Sequence, residues 1–312
     1  MPLQFDTVKQ RLRGVSVGLL TPFDGDGEIT HWQIEENAQE HYRKGIRTYL
    51  TAANISEFHS LSQQERVGVT ETSVNALPSD ACVLAGVGGS TECAQDLIRQ
   101  YDRIGVDAMM VMPPDHTYLH EQGVLEYYRR LAAVTETPLV PYVRGFDPTV
   151  EFLLDLSRME SVAGIKYALD DPVKLGTATT RGPDDVVWVD GLAEPYAVSY
   201  WAEGVEGFSA GVSNFRPEVG LALFDALSDE NWSRARELRD ICLPYQQFRD
   251  EPGQDNAIPG AVSVPAVKQG LELAGMYGGT VREPICPLTE PEVEQAKTLY
   301  NQLDDDISQL IE

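Results

Sequence analysis

The stretch Val162-Ala163-Gly164-Ile165-Lys166-Tyr167-Ala168-Leu169, closed by Asp170-Asp171-Pro172, decides how the rest of the chain is read. A short apolar run with turn residues behind it reads as a strand buried on both faces. Lys166 is out of place there, because an ammonium is among the costliest groups to take out of water. Two readings stand. In one, the lysine lays its apolar stem along the strand and lifts its head to water. In the other, desolvation lowers its pKa, so that the free amine attacks a carbonyl and forms a Schiff base. The flanking sequence favours the second.

Outward from this stretch, short β-rich segments recur at Val15–Leu20, Thr48–Asn54, Cys82–Val87, Ala108–Met112, Pro138–Val143, Gly164–Leu169, Val186–Gly191 and Gly207–Val212. Segments of helical character lie between them, among them Trp32–Lys44, Gln64–Ala76, Glu92–Ile104, Gly123–Val134 and Val150–Met159. Gly45, Gly105 and Gly204 fall where helices should end. Strands alternating with helices imply a parallel sheet, and eight such repeats close into an α/β fold of the (β/α)8 TIM-barrel type. The residues after strand eight read as Pro217–Leu227, Asn231–Phe248, Val264–Ala274 and Glu290–Ile311, all helical. The expected organisation is a barrel over residues 1–228 and a C-terminal helical extension of the same domain over 229–312. Residues 251–260, rich in Pro, Gly and Asn, read as a flexible linker.

Composition narrows the partners. The 312 residues carry 49 acidic against 24 basic side chains, a net charge of -25, and only six of the basic residues are lysines. Such a surface repels nucleic acid and anionic membrane, so neither is an expected partner. It suits a high-salt cytoplasm, where screening weakens self-repulsion. No apolar run is long enough to span a membrane and no leader pattern opens the chain, so a cytoplasmic protein is expected. Cys82, Cys93, Cys242 and Cys286 form no CxxC pair and have no histidine at ligand spacing. Neither a zinc site nor a disulfide framework is indicated, which makes a metal-dependent hydrolase remote.

In such a barrel the chemistry sits at the C-terminal ends of the strands. Those ends carry Thr21-Pro22-Phe23, Ala53-Asn54-Ile55-Ser56-Glu57-Phe58, Gly88-Gly89-Ser90, Pro113-Pro114-Asp115-His116, Tyr142-Val143-Arg144, Lys166, and Ser209-Ala210-Gly211. Together with Leu84-Ala85-Gly86-Val87-Gly88, Gly164-Ile165-Lys166 and Gly207-Phe208-Ser209, their order and spacing resemble the Schiff-base lyase family of dihydrodipicolinate synthase and N-acetylneuraminate lyase. That family includes keto-deoxy sugar acid aldolases and dehydratases, and the resemblance covers nearly the whole chain.

The resemblance implies that Lys166 forms an imine with the keto carbon of pyruvate or another 2-oxo acid, so that no metal or organic cofactor is needed. It implies that Tyr142 shuttles protons beside that imine. It places the 2-oxo acid's carboxylate on the strand-two loop, here Ala53, Asn54, Ile55 and Ser56, whose backbone donors would form an anion-holding nest. It also implies a homo-oligomer, a dimer or tetramer. Glu57 reads equally as a loop anchor and as a catalytic group, and His116 equally as a substrate contact and as a surface histidine. His59 reads as structural, the Gly88-Gly89-Ser90 loop as a weak phosphate signal, and Ser209 as room for substrate. Several positions depart from the family. Asn54 and Ile55 stand where the synthases keep threonines, Val143 replaces an asparagine, and Arg144 is the nearest counterpart of the arginine for the second substrate. Tyr167-Ala168 after the lysine is atypical. Loss of several relay parts argues against dihydrodipicolinate synthase and for a 2-keto-3-deoxy sugar acid aldolase or dehydratase. A non-catalytic binder of 2-oxo acids is the alternative of another class.

Overall fold

A computed structural model describes residues 2–311. Strands β1 (Val15–Gly18), β2 (Thr48–Thr51), β3 (Cys82–Val87), β4 (Ala108–Val111), β5 (Leu139–Val143), β6 (Gly164–Tyr167), β7 (Val187–Asp190) and β8 (Gly207–Ser209) form a closed parallel barrel in sequence order. Closure comes from β8 pairing back onto β1, with Val15 opposite Phe208 and Ser16 opposite Ser209. All eight strands read from the sequence are present, several of them shorter at the C-terminal end. The strand read as Thr48–Asn54, for example, stops at Thr51, because Ala52 takes a left-handed φ of 46° and turns the chain across the barrel mouth.

Around the barrel lie α1 (Phe5–Leu12), α2 (His31–Arg43), α3 (Gln63–Ala76), α4 (Thr91–Ile104), α5 (Glu121–Ala132), α6 (Val150–Ser157), α7 (Pro172–Arg181), α8 (Glu194–Ala202) and α9 (Pro217–Ser228). Local chemistry sets their ends. Ser62 and Glu65 make a reciprocal capping box that starts α3. Ser90 accepts the Cys93 N–H to start α4, so the Gly88-Gly89-Ser90 stretch is a helix start. Gly45, Gly105 and Gly204 have φ of 101°, 87° and 89° at the ends of their helices, a conformation that costs glycine nothing.

Three helices, α1, α7 and α8, were not among those singled out from the sequence. The first of them plugs the barrel from below. A Cβ at Gly164 would come within 2.8 Å of the Leu12 Cδ1, and one at Gly207 within 2.1 Å of the Leu12 carbonyl oxygen. Leu50, Leu84, Met110, Val140 and Val189 fill the space above the plug.

The C-terminal extension consists of α10 (Trp232–Arg249), α11 (Ser263–Leu273) and α12 (Glu290–Leu310). It shares one apolar core with the barrel: Val17 and Phe208 pack with Phe215, Leu238, Tyr245, Leu271 and Leu303. Residues 251–260 do not link separate units, which corrects the reading as a linker. The Gly260 N–H donates to the Asp250 carbonyl at 2.9 Å and closes the segment into a loop, with Pro259 and Gly260 at the barrel mouth. No helix among the described residues is long and apolar enough to cross a membrane.

Gly86 tests how tightly the mouth is built. A Cβ there would sit 1.9 Å from the Ala52 carbonyl oxygen, whereas one at Gly123, exposed in α5, meets nothing within 4 Å. Denaturant titration should show Gly86→Ala destabilised by about 2–3 kcal/mol. Gly123→Ala should be stabilised by about 0.5 kcal/mol. Equal effects would contradict this packing.

Candidate active site

Lys166 enters the barrel from the middle of β6, where strand alternation sends Ile165 and Tyr167 outward to the helix layer. Its register partner on β5 is Tyr142, and the Lys166 Nζ lies 4.6 Å from the centre of the Tyr142 ring. Both residues are buried. Among the described residues no carboxylate comes within ion-pair distance of Lys166. The nearest buried acid, Asp190 at the end of β7, accepts the Leu192 N–H at 2.6 Å and has no partner for its second oxygen. Burial pushes the Asp190 carboxyl well above the usual carboxylate range, which makes it a weaker counter-ion than a solvated carboxylate. Desolvation is also the main force on Lys166. It pulls the ammonium below the ordinary lysine value, with Arg144 adding to the depression and Tyr142 and Asp190 opposing it.

The phenol responds in the other direction. Burial alone would raise Tyr142, but the charges of Lys166 and Arg144, with hydrogen bonds from Arg144 and Asn54, bring it below the ordinary tyrosine value. Arg144 Nη1 donates to the Tyr142 hydroxyl at 3.2 Å. A lowered amine beside a lowered phenol brings together two groups between which a proton can pass.

These groups open into a cavity of about 530 Å³ at the C-terminal end of the barrel. Of the residues singled out from the sequence, Lys166, Tyr142, Asn54, Ile55, Arg144 and Ser209 all line it. Ser56, Glu57, Phe58 turn their N–H groups back onto the carbonyls of Ala53 and Asn54. Among the described residues, the N–H groups of Asn54 and Ile55 donate to no backbone acceptor, and the Asn54 Oδ1 is buried without a partner. The Ile55 side chain fills the space above Gly18, where a Cβ would come within 2.1 Å of it. Ser209 accepts from the Ser16 hydroxyl at 3.3 Å.

Two candidates lie elsewhere. Ser56 is buried behind the loop: its carbonyl accepts from the Thr21 hydroxyl at 2.7 Å and its own hydroxyl has no partner. His116 is exposed on the loop after β4, away from the cavity lining, and its Nδ1 accepts the Tyr118 N–H at 3.0 Å. Glu57 resolves as an anchor. It has a left-handed φ of 61°, pairs with buried Lys268 of α11 at 2.6 Å, and accepts the Arg282 N–H at 3.0 Å. The strand-two loop is thus bolted to the C-terminal extension. His59, read as structural, instead lines the cavity.

Sequence reasoning missed the floor of the site on the β8 side. Buried Glu194, the first residue of α8, accepts the N–H groups of Gly211 at 3.0 Å, Val212 at 3.3 Å and Ser213 at 2.9 Å. It also accepts from the Gln246 amide of α10, whose carbonyl accepts from Arg249. Gln246 and Arg249 both line the cavity. A glutamate followed by proline at a helix start was the available signal, but many surface helices begin the same way.

Replacing Lys166 by methionine should raise stability at neutral pH, by on the order of 1 kcal/mol, because it removes a desolvated charge without a counter-ion. The folded-state pKa lies below the unfolded one, so the penalty is complete below the folded value and gone above the unfolded value. The gain should therefore shrink as pH approaches that of an ordinary lysine, as thermal unfolding across pH would record. In Arg144→Gln, loss of the neighbouring cation should move the inflection of amine reactivity at Lys166 to higher pH.

The model of the dihydrodipicolinate synthetase family matches residues 11–303. A Bacillus subtilis protein named "Probable 5-dehydro-4-deoxyglucarate dehydratase" is 25% identical over 95% of this chain and 96% of its own length. A Streptomyces coelicolor protein of the same name, numbered 2, is 31% identical over 87% of this chain and 83% of its own. Among solved structures, dihydrodipicolinate synthase from Oceanobacillus iheyensis superposes with a TM-score of 0.91 at 24% identity, covering 97% of this chain and all of the other. The sialic acid aldolase of Ruminococcus gnavus gives 0.87 at 21% identity, covering 96% of this chain and all of the other. Those two likenesses bear on the fold. With the barrel closed around Lys166 and the family pattern running almost end to end, the chain belongs to the dihydrodipicolinate synthetase family of lyases.

Proposed function

We propose that the chain is a Schiff-base dehydratase acting on a 2-oxo-3-deoxy sugar acid, with Lys166 as the covalent centre and no external cofactor. The observation that carries this reading is the desolvated Lys166 amine over the Tyr142 ring in a closed barrel mouth. Relatives named as 5-dehydro-4-deoxyglucarate dehydratases, spanning nearly the same length, favour water loss over carbon–carbon cleavage.

The chemistry follows from an imine's capacity to accept electrons. The uncharged Lys166 amine adds to the C2 keto carbon, and the resulting carbinolamine loses water to give a protonated imine. The substrate's C1 carboxylate rests on the free N–H groups of Asn54 and Ile55. The imine acidifies C3. Tyr142, as phenolate, takes the C3 proton to give the enamine, whose electron pair forms the C3–C4 double bond as the C4 hydroxyl leaves, and the phenol returns that proton to the departing hydroxyl as water. Hydrolysis of the imine by a second water then frees Lys166 and the product. The net change is loss of one water from the sugar acid. Asn54 and Ile55, in place of paired hydroxyls, remove the relay a condensing synthase would need.

Borohydride added with pyruvate should leave a reduced adduct on Lys166, detected by peptide mass spectrometry and absent in Lys166→Ala. On a panel of 2-oxo-3-deoxy sugar acids, turnover should show dehydration without pyruvate release. Tyr142→Phe should cut kcat by about a hundredfold or more while still forming the adduct. Adduct formation without any turnover would favour a 2-oxo acid binder. Faster condensation of pyruvate with aspartate semialdehyde would favour the synthase.

The same reading carries a homo-oligomer working in a salt-rich cytoplasm, supported by the net charge of -25 and the family's habit of assembly. Light scattering and activity followed as potassium chloride is withdrawn should show dissociation and loss of turnover together. A fully active oligomer in low salt would remove that part.

A further inference from the structure

The barrel floor beneath Lys166 is more polar than closure of the barrel requires. Interior layers of such barrels are filled mainly by bulky branched side chains. Here Ser16 on β1 stands opposite Thr48 on β2 and Ser209 on β8, so three hydroxyl side chains meet in one layer across adjacent strands. All three are buried. With Lys166 and apolar side chains that include Leu12, Met110 and Val189, they enclose a space of about 10 Å³. Lys166 and Ser209 line both this space and the large cavity above it, so they form the partition between the two.

These hydroxyls keep bonding capacity in reserve. Thr48 donates its proton to the Arg11 carbonyl at 2.7 Å, which leaves its oxygen free only to accept. Ser16 has the Phe208 carbonyl and the Ser209 oxygen both at 3.3 Å, long for a hydroxyl donor, and one proton cannot serve both. Ser209 accepts in that pair, and its own proton has no other acceptor among the described residues. A space of about 10 Å³ is close to the least that admits one water, and a buried water needs two to four polar partners. Ser16, Thr48, Ser209 and the Lys166 amine supply them. Lys166 is the one titratable side chain on this floor, and the groups acting on its charge are Tyr142 and Arg144 from β5 and Asp190 from β7.

We propose that one buried water, held by Ser16, Thr48 and Ser209, sits beneath Lys166 and orients its amine, which makes Ser16 a positioning residue for the reaction although it lies outside the substrate cavity. This rests on the imine reading. An uncharged amine carries two N–H donors and one lone pair. The water below accepts one N–H, and the lone pair is left to face the keto carbon in the cavity above. Hydroxyls and water rotate, so the same groups accept from the ammonium when the amine is protonated. The floor thus solvates either protonation state without a carboxylate, where a fixed anion would hold the lysine charged.

The test follows borohydride trapping of pyruvate on the full chain, with the rate of adduct formation at Lys166 measured across pH for the wild type, Ser16→Val and Ser16→Ala. Valine fills the space and excludes the water, whereas alanine leaves room but removes one partner. Ser16→Val should lower the rate at the high-pH plateau by about tenfold, as the lone pair loses its alignment. Its inflection should move to lower pH, because fewer dipoles remain to solvate the ammonium. Ser16→Ala should show both changes to a smaller degree, and it carries the test alone should the valine variant fail to fold. A crystal structure of the wild type should show an ordered water within hydrogen-bond reach of the Ser16 and Ser209 hydroxyls, displaced in Ser16→Val. No water there in the wild type, or a wild-type rate profile in Ser16→Val (in Ser16→Ala, where valine does not fold), overturns the inference and leaves the imine reading standing. Failure to trap pyruvate in the wild type removes the imine reading and this inference with it.

Discussion

A buried amine with no carboxylate of the described residues within ion-pair distance is the constraint on which this molecule turns. Lys166 could be kept charged cheaply by one ionised carboxylate, and the fold withholds it. Asp190 is close enough to couple but so deeply buried that its own charged form is disfavoured. The space around the lysine stem is equally controlled. Leu12 closes the barrel beneath, and a Cβ on Gly191 would press within 3.2 Å of the Lys166 Cγ. An ammonium in such a place costs several kcal/mol relative to water, and only a barrel whose other layers are well packed tolerates that.

The C-terminal extension has a share in the site that its place in the chain does not announce. Lys268 of α11 reaches Glu57 and the Thr21 carbonyl, fixing the loop whose Asn54 and Ile55 line the cavity. Gln246 and Arg249 of α10 continue the Glu194 network that sets the β8 loop. A buried pair such as Glu57 with Lys268 adds little net stability over an apolar pair of the same size, but it permits only one register of the two segments. Here that selectivity matters, since Ala52 and Glu57 hold left-handed backbone on either side of the nest. The extension keeps the mouth in one shape.

What could be read from sequence divides along physical lines. Strands buried on both faces leave an unmistakable apolar run, so all eight were legible, and a lysine inside one of them marks itself. Tyr142 and Lys166 could be paired because consecutive parallel strands lie side by side. The ends of elements were less legible: Ala52 leaves β2 through a conformation for which alanine carries no signal. Helix α8 was marked only by its end at Gly204, because Glu194-Pro195-Tyr196-Ala197-Val198 lacks a clean polar stripe. Arg249 was invisible for another reason. One arginine near the end of a polar helix reads as solvated charge, and only three-dimensional packing shows that it faces Gly211. His116 and Ser56 show the converse, since lying near a strand end in sequence does not bring a side chain into the cavity.

The surface and the site pull in opposite electrostatic directions. A net charge of -25 raises a repulsive field against any anionic substrate approaching through dilute buffer. The cavity answers with Arg144 and Arg249, neither of them within ion-pair distance of an acid among the described residues, so the attraction is strong only at short range. Salt resolves the conflict unequally. Ions screen exposed carboxylates across about 10 Å at 0.1 M, whereas a half-buried cation such as Arg249 inside the mouth is screened less. Raising ionic strength therefore removes the long-range barrier faster than it weakens the grip inside. The carboxylate-rich exterior and the arginines of the mouth therefore respond differently to the same salt.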